Sequence, residues 1–164
     1  MSQIHGDRYR SIVDIHIILV RDNRILLGLR INTGYADDHY HLPAGHLEMG
    51  ESVVSGAIRE AHEELGVFIQ EGDLRLVHFM HHRSTEGRLA LFFEARQWAG
   101  VPQNREPSKC KQLDWFALDM LPDQIVPYAR EALQHYQSGI SFGLSGWESG
   151  LSRREHEGGS ADGY

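Results

Sequence analysis

Thiol chemistry is nearly absent from this chain. Cys110 is the only cysteine among 164 residues, which excludes an internal disulfide framework and a thiolate zinc site. Long apolar runs are lacking too: the longest purely aliphatic stretch, Ile17 to Val20, is far too short to span a bilayer. Met1 to Arg10 is polar and has no apolar core of a secretory signal, so the expected compartment is the cytoplasm and no membrane partner is expected. Positive charge is not in excess. A formal net charge of −7 argues against a chain that holds long nucleic acid by phosphate neutralisation, although a local basic site can still grip a small phosphate ligand. Eleven histidines are many for this length, but they show no ligand spacing, so surface or core packing is expected of them rather than zinc.

What is present reads as one domain over residues 1–147, followed by a flexible tail over 148–164 of Gly, Ser and charge. Residues 12–20 alternate, with Val13, Ile15, Ile17 and Leu19 on one face and Asp14 and His16 on the other, the period of a half-buried strand. Asp22-Asn23 then reads as a two-residue turn into a second strand over 25–30. A loop over 31–38 and an irregular Leu42-Pro43-Ala44-Gly45 approach lead to a helix over 52–65. Strands over 74–82 and 88–98 are expected to be antiparallel neighbours with Glu86-Gly87 in their turn, and 113–118 reads as a last strand. Pro127 opens a second amphipathic helix to about residue 138.

The chemistry concentrates in residues 45–67. On a helix, Val53, Val54, Ala57, Ile58, Ala61 and Leu65 form a core-facing stripe, and Glu60, Glu63 and Glu64 share the neighbouring flank. Like charges at this spacing oppose the helix unless something positive lies among them. Arg59 can neutralise one carboxylate, not three. Hard oxygens converging from one face suit Mg²⁺ or Mn²⁺, with substrate phosphates completing the shell. The alternative is a solvated acidic face. Gly56, in mid-helix, marks a place where the 43–47 loop or a ligand approaches the backbone, and Gly66 is a natural helix stop.

These residues match the Nudix box, Gly-x5-Glu-x7-Arg-Glu-U-x-Glu-Glu-x-Gly-U with U aliphatic, at every position from Gly45 to Val67. The chain therefore resembles the Nudix hydrolases. The resemblance implies an α/β class fold, an α/β/α sandwich with a mixed sheet between helices, and hydrolysis of a nucleoside diphosphate linked to another moiety. It also implies Glu60, Glu63, Glu64 and the Gly45 carbonyl as metal ligands, with Arg59 and Glu51 holding the carboxylates. The 98–106 loop resembles that of mutator-type (MutT-like) nucleoside triphosphate pyrophosphohydrolases, which makes Glu106 a candidate for an additional metal-associated carboxylate, with Glu94 its competitor. Arg30 stands where the family places a phosphate-binding Arg; Arg83 is a further candidate, and Tyr35, Tyr40 or Trp115 is a candidate to stack on a base.

The specificity marks of the family are less evident. No Asn stands near Tyr128 to Arg130, where MutT-like enzymes read an oxidised guanine, and the marks of ADP-ribose, diadenosine polyphosphate, coenzyme A and NADH hydrolases are missing. The expected substrate is a small nucleotide, with nucleoside triphosphates favoured. The competing class is a Nudix-like sensor that binds a nucleotide without cleaving it, and a homodimer is allowed.

Overall fold

The computed structural model describes residues 8–84 and 87–147; the expected tail over 148–164 and Glu86 of the expected turn lie outside them. Within the described residues, eight strands and two α-helices follow the order β1 (Ile12–Arg21), β2 (Arg24–Arg30), β3 (Tyr40–His41), β4 (Ala44–His46), α1 (Val53–Leu65), β5 (Leu74–His82), β6 (Arg88–Ala95), β7 (Cys110–Ala117), α2 (Pro127–Gln137) and β8 (Phe142–Ser145). The path across the sheet is β3-β2-β1-β6-β5-β8, with β4 also on β1 and β7 also on β2.

The sheet is mixed. β1 runs parallel to β6 and antiparallel to β2 and β4, and β8 runs parallel to β5. The expected antiparallel β5–β6 pair is present and contains a register shift between Leu76 and His78. β6 ends at Ala95, opposite Leu74 where β5 begins, so the strand is shorter than the 88–98 run suggested. Asp22 and Asn23 both take positive φ, 52° and 57°, which two-residue hairpin turns demand.

Strand β1 divides the core. Ile15, Ile17 and Leu19 pack against Ala57, Ala61 and Leu65 of α1. Ile18 and Val20 point the other way, into Ala129, Ala132 and Leu133 of α2. The helices thus cover opposite faces of the sheet, which is the sandwich expected. One expectation needs correction: β1 is not half buried, because every residue from Asp14 to Val20 is enclosed. On its other face Asp14 is paired with Arg88 and His46, and His16 packs against Phe92 and Tyr128. Strand β8, which follows the second helix, was not anticipated. Among the described residues no helix is long and apolar enough to cross a membrane.

Candidate active site

Helix α1 starts where Ser52 accepts a hydrogen bond from the Ser55 amide and stops at Gly66 in the left-handed region, φ 70°. The first satisfies a free amide of the opening turn; the second lets the chain reverse without a Cβ penalty. These limits fix the rotation of the acidic flank. Arg59 is its hub. Its Nη2 donates to Glu51 Oε1 at 2.7 Å and to the His46 carbonyl at 3.0 Å, and its Nη1 donates to Glu60 Oε1 at 2.7 Å and Glu63 Oε2 at 3.1 Å. That guanidinium and the Glu48 amide hold the Glu51 carboxyl down to about 2. Among the described residues no three His, Cys, Asp or Glu side chains converge on one point, since Arg59 draws Glu60 and Glu63 to itself.

One Arg59 guanidinium serves Glu51, Glu60 and Glu63, and Glu64 lies beyond its reach. Glu60 is buried, and its carboxylate lies so close to Gly45 that a Cβ there would fall 1.9 Å from Oε1. Glu64 accepts from the Ala44 amide at 3.1 Å. Burial first, then the charges of Glu106 and Glu60, push its carboxyl up to about 8. The Glu60 carboxyl is also raised, by burial before its neighbours. Hard oxygens held in a cradle that only glycine fits, beside a Glu64 carboxylate that no guanidinium compensates, are a donor set suited to a divalent cation. Glu63 is the solvent-facing member.

Glu106 reaches the same region because its loop is tied to the end of α1. The Gln103 amide donates to the Leu65 carbonyl at 2.9 Å and the Arg105 amide to the Glu64 carbonyl at 3.0 Å. Asn104 accepts from the Glu106 amide and donates to the Cys110 carbonyl, which fixes the loop's far side.

Gly45, Glu64 and Glu106 line one cavity of about 680 Å³ together with Arg30 and Tyr35. Arg30 is held by its own loop, donating to the Tyr35 carbonyl at 3.1 Å and Thr33 Oγ1 at 2.9 Å. Arg83 is not brought there; it is exposed, over the Trp147 ring at 5.5 Å. Glu94 lies apart as well, bonded to Arg75, Arg96 and Tyr136. Tyr40 donates to Asp114, and Trp115 stacks on Trp98, so both pack within the protein. Gly56 faces neither the 43–47 loop nor the cavity: a Cβ there would meet Ile15 Cδ1 at 2.6 Å and Glu51 Oε1 at 3.0 Å. Its role is close docking of α1 on β1.

Sequence reasoning missed a second group of residues on the cavity wall, Asp14, His16, His41, His82, Arg88 and Tyr128. Arg88 Nη1 donates to both Asp14 oxygens at 2.9 Å, and His46 Nδ1 donates to Asp14 Oδ1 at 2.7 Å. The available signal was two polar residues inside the apolar run of β1.

The family model described as NUDIX domain matches residues 9–136. A curated MutT-like protein of Streptomyces ambofaciens is 28% identical over 109 residues, which is 66% of this chain and 65% of that relative's length. Among solved structures, a MutT NUDIX hydrolase from Burkholderia pseudomallei is 32% identical, with TM-score 0.69, covering 76% of this chain and 97% of its own. The E. coli ORF135 protein, 20% identical with TM-score 0.66 over 79% and 90%, has the same fold. With the family model spanning most of the chain and a box complete at every position, the chain belongs to the NUDIX domain family.

Proposed function

We propose that this chain is a pyrophosphohydrolase that uses Mg²⁺, or Mn²⁺, to cleave a pyrophosphate bond in a small nucleotide, with nucleoside triphosphates as the favoured substrates. The observation that carries the reading is the juxtaposition of half-buried Glu64, Glu106 and Gly45 on the wall of a nucleotide-sized cavity, with buried Glu60 packed against Gly45. Gly45, Glu60, Glu63, Glu64 and Glu106 would hold the cation. When bound, it neutralises phosphate oxygens and acidifies a water.

The chain's own residues supply the rest. Arg59 and Glu51 fix the carboxylates, so that little reorganisation accompanies reaction. Arg30 and Lys109, both on the cavity wall, offer positive charge to phosphate oxygens. A carboxylate among Glu63, Glu64 and Glu106 accepts the proton of the attacking water.

The test is turnover of a panel of nucleoside triphosphates, diphosphate sugars and dinucleotides, with H₂¹⁸O marking the attacked phosphorus. Glu63→Gln and Glu64→Gln are expected to lower metal-dependent turnover by roughly 100-fold or more while leaving the fold intact. Unchanged activity in both would sink the reading.

A further inference from the structure

The hydroxyl of Tyr128 stands between two imidazoles, 3.0 Å from His16 Nε2 and 2.8 Å from His41 Nε2. It has one proton to give. Which ring receives that proton follows from the surroundings. His41 Nδ1 lies 2.6 Å from the Leu42 carbonyl, which only accepts, so Nδ1 carries the hydrogen. His41 is enclosed, and burial pulls its pKa down to about 4, so the ring is neutral and Nε2 is a bare lone pair. The phenol therefore donates to His41. With the phenol proton committed to His41, the His16 contact runs the other way: its Nε2–H donates to the phenol oxygen. Its ring stacks on Phe92 at 4.4 Å.

A directed chain results: His16 to Tyr128 to His41 to the Leu42 carbonyl. Its consequence for the cavity is that the Tyr128 oxygen has no proton left to offer. It presents only acceptor capacity, one lone pair being taken by His16. Tyr128 lines the cavity together with Asp14, Arg30 and Arg88. The neighbouring Asp14 carboxylate is likewise an acceptor. The cavity wall thus carries two kinds of group. Glu64, Glu106 and Gly45 suit cation and phosphates, while Tyr128, its stacking partner His82 at 4.9 Å, and Asp14 are left for the base.

We propose that Tyr128 is a specificity-determining residue whose oxygen accepts a hydrogen bond from an amino group of the nucleobase, selecting cytosine or adenine over the carbonyl-bearing uracil or hypoxanthine. This rests on the nucleotide reading above and names the substrate class within it. A base with a carbonyl at that position meets acceptor against acceptor, which a site built this way rejects strongly.

The test separates base recognition from hydrolysis. Dissociation constants of CMP, UMP, AMP and IMP, none of which has a pyrophosphate bond to cleave, are measured by calorimetry on the full chain. CMP is expected to bind at least about tenfold tighter than UMP, and AMP than IMP. In Tyr128→Phe both ratios fall towards one. In His41→Phe the phenol proton is released from its acceptor, and the ratios shrink or invert, a change that loss of packing alone does not produce. If Tyr128→Phe does not fold, the wild-type ratios and His41→Phe decide the matter. Equal binding within each pair, no measurable binding of any of the four, or a preference kept in the folded variants overturns the proposal. Amino preference without turnover of any cytosine or adenine nucleotide of the panel in Mg²⁺ and Mn²⁺ leaves it standing and removes the hydrolytic reading instead.

Discussion

Gly45 and His41 lie four residues apart in sequence and show two ways in which a single residue governs this site. At Gly45 the absence of a side chain matters. An alanine methyl would fall 1.9 Å from Glu60 Oε1 and 2.0 Å from its Cδ, and Glu60 cannot swing away freely because Arg59 holds it. Gly45→Ala is therefore expected to weaken cation affinity and lower turnover by roughly 100-fold, as displacements of about 1 Å do in catalytic constellations. Calorimetric titration of Mg²⁺ beside steady-state kinetics checks this. Equal affinity in both proteins would show that Glu60 relaxes without cost.

At His41 the buried ring is neutral in the fold and protonates with an ordinary pKa once unfolded. The unfolded chain then binds the extra proton between about pH 6.5 and 4, so stability is present above that window and is lost as pH falls through it. At pH 5 the loss from His41 alone is roughly 2 kcal/mol. Urea unfolding at pH 7 and pH 5 is expected to show this loss in the wild type and not in His41→Phe, the comparison cancelling other titrating groups. Parallel behaviour of the two would contradict a neutral buried imidazole.

At the scale of elements, α1 and β1 approach closely because Gly56 leaves room for Ile15. Alanine there would gain about 1 kcal/mol of helix propensity. It would also force a methyl to 2.6 Å from the enclosed Ile15 Cδ1, an overpacking that costs about 1–3 kcal/mol. Gly56→Ala is expected to lower the thermal midpoint, and a raised midpoint would show that the helix can lift off the sheet. The acidic helix was legible from sequence because its signal is local: stripe, flank, N-cap and stop all lie within one periodic stretch. The β1–β2 hairpin was legible for the same reason, through Asp22 and Asn23. Strand β8, four residues of Phe142–Ser145, has no local signal and exists because β5 offers it an edge. The Asp14, His41 and Tyr128 group on the cavity wall was hidden for a related reason. Those residues come from β1, β3 and α2, and only the sheet register brings them together.

For the molecule as a whole, both packed clusters are built from residues between Ile15 and Tyr136. Residues 148–164 are Gly, Ser and charge with few apolar side chains to contribute. A chain ending at Trp147 is expected to unfold within about 2 °C of the full chain and to turn over substrate at the same rate. Calorimetry and kinetics on both check this; a large drop in either would assign the tail a part in the domain.

The doubly enclosed β1 also sets the order in which the molecule can assemble. One flank of this strand pairs with β6, whose matching residues, Arg88 to Ala95, each come 76 positions after their partners, Ile12 to Leu19. During synthesis, β1, the hairpin and the acidic helix all emerge before the strand that closes them, and for that interval Ile15, Ile17 and Leu19 have half a sheet to rest on. Such distant closure makes folding slow relative to helical proteins of this size and exposes an unpaired edge while it lasts. The strand at the centre of the finished sheet is thus secured on both sides only once Ala95 has been made, and until then its open edge is exposed to wrong pairing.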